Sequence, residues 1–184
     1  MTTDDWITDF TAQDAYDDWI RPEDLPELAA HIAGMAADPV HVPGGAVEEF
    51  LWNLQRSVAP HAWNEDVPAR DRRNLLLNTA SILERIMSSM SHLSPAGLYF
   101  WDSVIEVPDL VGATPTSAEI RQELFDILVR EAAVQHEGFQ RSALHGLNHL
   151  RDPRTSRVID SMRDLWVNAE VAKYAEVVKK FGSA

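Results

Sequence analysis

At 184 residues with 45 % hydrophobic content, the chain is long enough to bury a core of its own. It has no cysteine, which excludes disulfides and thiolate metal sites, and its net charge of −13 disfavours nucleic acid and favours basic partners. No signal-peptide pattern opens the sequence, and no apolar run nears the roughly 18 residues of a membrane span. A cytoplasmic protein without membrane contact is the expectation.

The charge is uneven. Residues 1–27 hold nine acidic side chains against one basic, Arg21, for a net −8. Trp6, Phe10, Tyr16 and Trp19 are interspersed among them. Such a segment is either an arm that folds on a partner or a lid whose aromatics dock on the body. Docking is favoured by the roughly 1.5–3 kcal/mol that each buried aromatic returns.

Helix signals follow. Asp24 is placed to cap a helix to about Ala37, with Pro26 in its first turn. ADPVHVPGG (Ala37–Gly45) reads as a loop. Val47, Phe50, Leu51 and Leu54 give helical spacing over Ala46–Val58, and APHAWNEDVP reads as the next loop. Ala69–Ser91 is a long helix with Leu75, Leu76, Thr79, Ile82, Leu83 and Ile86 facing inward. Ser94-Pro95 starts another, through LYFWDSVIE, which Pro108 should end. Its Leu98–Trp101 run is apolar all round and predicts a central, buried helix.

After a Pro- and Gly-bearing loop, Thr116 and Glu119 form a capping box. Four helices follow at about Ser117–Ala132, Gln135–Arg151, Pro153–Trp166 and Ala169–Phe181. Short linkers predict antiparallel hairpins, with Asp152-Pro153 capping the third helix. No alternating strand pattern occurs. The fold class is all-α, one helical domain over 1–184. It divides into an acidic arm or lid (1–24), an irregular helical part (25–113) and helical hairpins (114–184).

The stretch FQRSALHGLNHLRDPRTSRVIDSM, followed by NAEVAKYAEVVKKFG, resembles HEAT-like helical repeats. Phe139, Ala143, Leu147 and Leu150 fall on that family's inward positions. So do Val158, Ile159 and Met162, then Val171, Ala175 and Val178. The resemblance implies stacked hairpins that present a binding face to a macromolecule.

Candidate chemistry is sparse. His145 and His149 are i, i+4, the spacing of a two-histidine metal pair. His136, Glu137 and Asp152 are the nearby candidates for a third ligand. Gly146 stands where the metalloprotease pattern needs Glu. His149 projects roughly 200° from Leu147 at about 100° per residue, on a groove side of its helix. The reading is therefore no metal and no cofactor, with the pair available for partner contact. Arg141, Arg151, Arg154 and Arg157 outline a basic edge, but Asp152, Asp160 and Asp164 are interleaved, so ion pairs account for it. No Gly-x-Ser-x-Gly elbow or phosphate-cradling loop is present.

The leading expectation is a non-enzymatic helical module that binds another, basic protein. Its sharper form is an immunity-like or inhibitory protein. The partner-binding residues assigned are Trp6, Asp17, Asp18, Trp19, Trp63, His145 and His149. The alternative is an enzyme or small-ligand protein, with a pocket between the Leu98–Trp101 helix and the histidine helix.

Overall fold

The computed structural model describes residues 7–8, 10–11, 25–37, 42, 46–89, 94–110 and 118–181. Among them, all regular structure is helical. The helices are α1 (Leu25–Ala37), α2 (Val47–Ala62), α3 (Ala69–Ser88), α4 (Pro95–Leu98), α5 (Phe100–Leu110), α6 (Ala118–Ala132), α7 (Glu137–Leu150), α8 (Thr155–Ser161) and α9 (Ala169–Phe181). A 3-10 turn, Arg163–Leu165, joins the last two. No described helix is long and apolar enough to cross a membrane.

The inward stripes follow the sequence pattern. Leu75, Leu76, Thr79, Ile82, Leu83 and Ile86 are all buried in α3, as are Ile120, Leu124, Ile127 and Leu128 in α6. Phe139, Ala143, Leu147 and Leu150 of α7 join the same core, with Val171, Ala175 and Val178 of α9.

Four boundaries differ from expectation. Helix α2 continues through Pro60 to Ala62. Helix α5 continues through Pro108 to Leu110. Pro108 has no N–H to give to the Val104 carbonyl four residues back. The Trp63 indole N–H donates to that carbonyl instead, so the turn stays satisfied from outside the helix. The LYFW run is broken rather than buried all round: Tyr99 ends α4 and is 41 % exposed, while Phe100 and Trp101 are fully buried at the start of α5. Finally, α8 begins at Thr155, not at Pro153. Asp152 makes a turn there, accepting from the Arg154 backbone N–H at 2.9 Å and gripping its guanidinium at 2.8 and 2.7 Å.

Two layers of same-sense helices position the site. In one, α3 and α6 run in step: Arg73 pairs with Glu123 at one end, and Glu84 and Val134 line a shared cavity towards the other. In the second, α5, α7 and α9 lie side by side. Rungs from Asp102 to His145 and from Glu106 to His149 join α5 to α7. Glu137 to Asn168 and His145 to Tyr174 join α7 to α9. Helices α6 and α7 form a hairpin between the layers, closed at its open end by Arg121 donating to the Leu150 carbonyl. Helix α2 packs on α3, α4 and α5; α1 packs on α3; α8 packs on α9.

At the N-terminal side, Ile7 and Phe10 are buried. The Phe10 ring meets Phe50 edge-on at 5.7 Å, and Asn53 Nδ2 donates to the Phe10 carbonyl at 2.7 Å. This part of the acidic segment is docked on α2. Trp6, Asp17, Asp18 and Trp19 lie outside the described residues, as does Thr116 of the expected capping box.

Candidate functional site: a polar junction of three helices

His145 and His149 lie one turn apart on α7, so both rings face the same neighbour. That neighbour is α5, which presents its own i, i+4 pair, Asp102 and Glu106. Local pins fix the register. Ser94 caps α4 by accepting from the Gly97 N–H at 3.1 Å, and Glu48 accepts from the Ala96 N–H at 2.9 Å. The Gln55 amide donates to the Tyr99 and Phe100 carbonyls at 2.6 and 2.9 Å, where α4 gives way to α5. Ser142 Oγ donates to the Gly97 carbonyl at 2.9 Å and ties α7 to the same corner.

Gly146 sets the spacing. A Cβ there would stand 2.6 Å from Leu128 Cδ2 and 3.1 Å from Trp101 Cβ. The residue between the histidines is thus the point where α7 presses against α5 and α6. A glutamate, as in the metalloprotease pattern, has no room.

The result is a connected polar cluster. His145 Nε2 lies 2.8 Å from Asp102 Oδ2, and His149 Nε2 lies 3.8 Å from the same oxygen. His149 Nδ1 is 2.6 Å from Glu106 Oε1, and His145 Nδ1 is 2.7 Å from the Tyr174 hydroxyl on α9. Tyr99 packs edge-on to His145 at 5.0 Å, and the two imidazoles pack edge-on to each other at 4.9 Å. Asp102, His145 and His149 have side chains 17, 20 and 28 % exposed, so the cluster is sheltered but open to solvent. Asp102 Oδ1 is buried without a hydrogen-bond partner. The Tyr174 hydroxyl is pushed up to about 12, chiefly by burial, with the Asp102 charge adding to the effect.

The third group beside the histidines is Asp102, not the three residues nearest in sequence. His136 caps α7, its Nδ1 accepting from the Gly138 N–H at 3.2 Å, Glu137 pairs with Arg141, and Asp152 holds Arg154. Two of the four arginines of the basic edge, Arg141 and Arg154, are engaged within the chain in the same way, and Arg154 also stacks on Phe125, 4.0 Å from the ring centroid. Trp63 is half-buried against the core with its indole N–H donated to Val104, which leaves only part of the ring for a partner. Sequence reasoning missed Asp102, Glu106 and Tyr174. The available signal was a pair of acids at i, i+4 inside the otherwise apolar LYFWDSVIEV.

A second polar feature lies behind the junction. The Trp101 indole N–H donates to Glu131 Oε2 at 2.8 Å. Glu131 is buried beside a cavity of about 300 Å³ between α3 and α6, and burial pushes its carboxyl up to about 8. Comparison with protein-family models, with curated proteins and with solved structures finds no match, so the junction is read from its own geometry.

Proposed function

We propose that the protein is a helical ligand-binding module whose functional centre is the junction of α5, α7 and α9. One observation carries this reading: both histidine Nε2 atoms converge on a single carboxylate oxygen, at 2.8 and 3.8 Å, in a sheltered but open setting. Two imidazoles and a carboxylate held in fixed orientation form the kind of converging polar set that recognises a small polar species. The same-sense run of α5, α7 and α9 also supports the HEAT-like reading of this part of the chain, which we retain as a proposal. The test is a thermal-shift panel of divalent cations, inorganic phosphate and small carboxylic acids on the wild-type protein, Asp102→Asn and His145→Gln. At least one class should raise the melting temperature of the wild type and of neither variant. Equal responses in all three proteins would remove the junction as the centre.

A second reading, favoured by the net charge of −13, is binding of a basic protein in the manner of an immunity or inhibitory protein. Acidic side chains are exposed on many described elements, among them Glu27, Glu49, Glu65, Asp66, Asp71, Glu84, Asp126 and Glu176. Steering of this kind acts on the association rate and fades with salt over a Debye length of roughly 8 Å. A pull-down from the native host should yield a basic partner encoded beside this chain, captured faster at low salt. A partner with an acidic surface, or association indifferent to salt, would end this reading.

A further inference from the structure

We infer that the junction is a binding site for one zinc-class divalent transition metal, held by Asp102 Oδ2, His145 Nε2 and His149 Nε2. This rests on the junction being the functional centre and names its ligand.

The first argument is geometric. One ligand atom from each of the three residues lies within 4.8 Å of the others. A tetrahedral ion with bonds of about 2.0–2.2 Å needs its ligand atoms roughly 3.3 Å apart. The 2.8 and 3.8 Å separations bracket that spacing, so small side-chain rotations bring the set to the ion.

The second argument is orientation. A ligating histidine normally has its outer nitrogen fixed by a carboxylate or another polar group. Both do here: Glu106 accepts from His149 Nδ1 at 2.6 Å, and Tyr174 holds His145 Nδ1 at 2.7 Å. With Nδ1 of each ring held by these partners, Nε2 of each ring is the nitrogen aimed at Asp102 Oδ2 and at the place an ion would take.

The third argument is charge. Among the described residues, Asp102 and Glu106 form ion pairs with the two histidines and with no lysine or arginine. Arg141, whose charge acts on Tyr174, is engaged by Glu137. Two carboxylates without a fixed cation beside them favour a bound metal ion.

Donor chemistry selects the metal. Two imidazoles and one carboxylate suit Zn²⁺, Co²⁺ or Ni²⁺; Mg²⁺ and Ca²⁺ demand shells of oxygen. Coordination uses the Nε2 lone pair of each ring. That leaves His145 Nδ1–H to donate to the Tyr174 oxygen and His149 Nδ1–H to donate to Glu106. Three protein ligands leave a coordination position for water or a small anion.

The experiment is isothermal titration of the chelator-treated full-length protein with zinc chloride, backed by cobalt absorption spectra. One equivalent should bind with a dissociation constant at or below about 1 µM, or about −8 kcal/mol. Cobalt should give the intense visible bands of a tetrahedral site. Asp102→Asn and His145→Gln should each lose at least about 100-fold in affinity, and Glu106→Gln roughly 10–100-fold through His149 orientation. His136→Gln, away from the cluster, should bind as the wild type does. Circular dichroism verifies that each variant is folded, and Glu106→Gln keeps the test decisive if a ligand variant is not. Zinc bound equally well by the ligand variants, or at several equivalents with no cobalt bands, overturns the metal site. If no metal binds but phosphate or a carboxylic acid still stabilises only the wild type, the metal inference fails while the ligand-binding reading stands.

Discussion

Two buried titratable groups make stability depend on pH in opposite senses. Glu131 keeps a proton in the folded state because burial raises its carboxyl to about 8; Glu84 on α3 adds to the shift and Arg130 opposes it. The unfolded chain gives up that proton above its ordinary value of 4.5, so stability is lost as pH rises from there through about 8. His61 has its imidazole lowered to about 4 by burial, with Nε2 unpaired. The unfolded chain gains that proton below 6.5, so stability is lost as pH falls from there through about 4. Glu131→Gln keeps an acceptor for the Trp101 indole and removes the titration. Its melting temperature should match the wild type near pH ~5 and exceed it by several degrees near pH ~9. An unchanged alkaline slope would assign the effect to another group.

At the scale of elements, α7 is the hub, touching α3, α4, α5, α6 and α9. Leu147, on the side away from the histidine pair, is fully buried, and Gly146 lets α5 and α6 approach. The helix ends where Arg151 adopts a left-handed conformation, φ 49°, and its N–H closes on the Leu147 carbonyl. Gly146→Ala gains about 1 kcal/mol of helix propensity but incurs about 1–3 kcal/mol of overpacking. Part of the clash is with a leucine methyl that can rotate, so the net loss should be modest. Gly146→Val cannot be relieved in that way and should cost several kcal/mol, on the order of a buried steric misfit. Urea titrations of both variants measure this. A Gly146→Ala protein more stable than the wild type would mean that the helices do not close on that residue.

Over the whole molecule, the acidic N-terminal segment is coupled to folding through Ile7 and Phe10. Phe10 is 2 % exposed, meets Phe50 edge-on and has its carbonyl bound by Asn53. Phe10→Ala should lower stability by about 3 kcal/mol, or roughly 6 °C or more in melting temperature. A thermal melt with an apolar-surface dye reads both the shift and the uncovered face of α2. No change would make the docked residues incidental to stability and return the segment to the role of a free arm.

The sequence determined the helical fold class and most inward stripes, because apolar spacing at the helical period has one solution: bury that face. It located α9 to the residue and α1 to within one, since local capping and loop composition operate at that range. Pro108 misled because the missing donor was replaced from Trp63, 45 positions earlier in the chain, which no local rule can see. The histidine pair was legible from its spacing, but its partners were not. Asp102 and Glu106 come from a helix some forty residues away, and Tyr174 from another about thirty residues on. Only packing decides which side chains of three separate helices meet, because that depends on the depth at which α7 settles against α5, and a missing Cβ at Gly146 sets that depth.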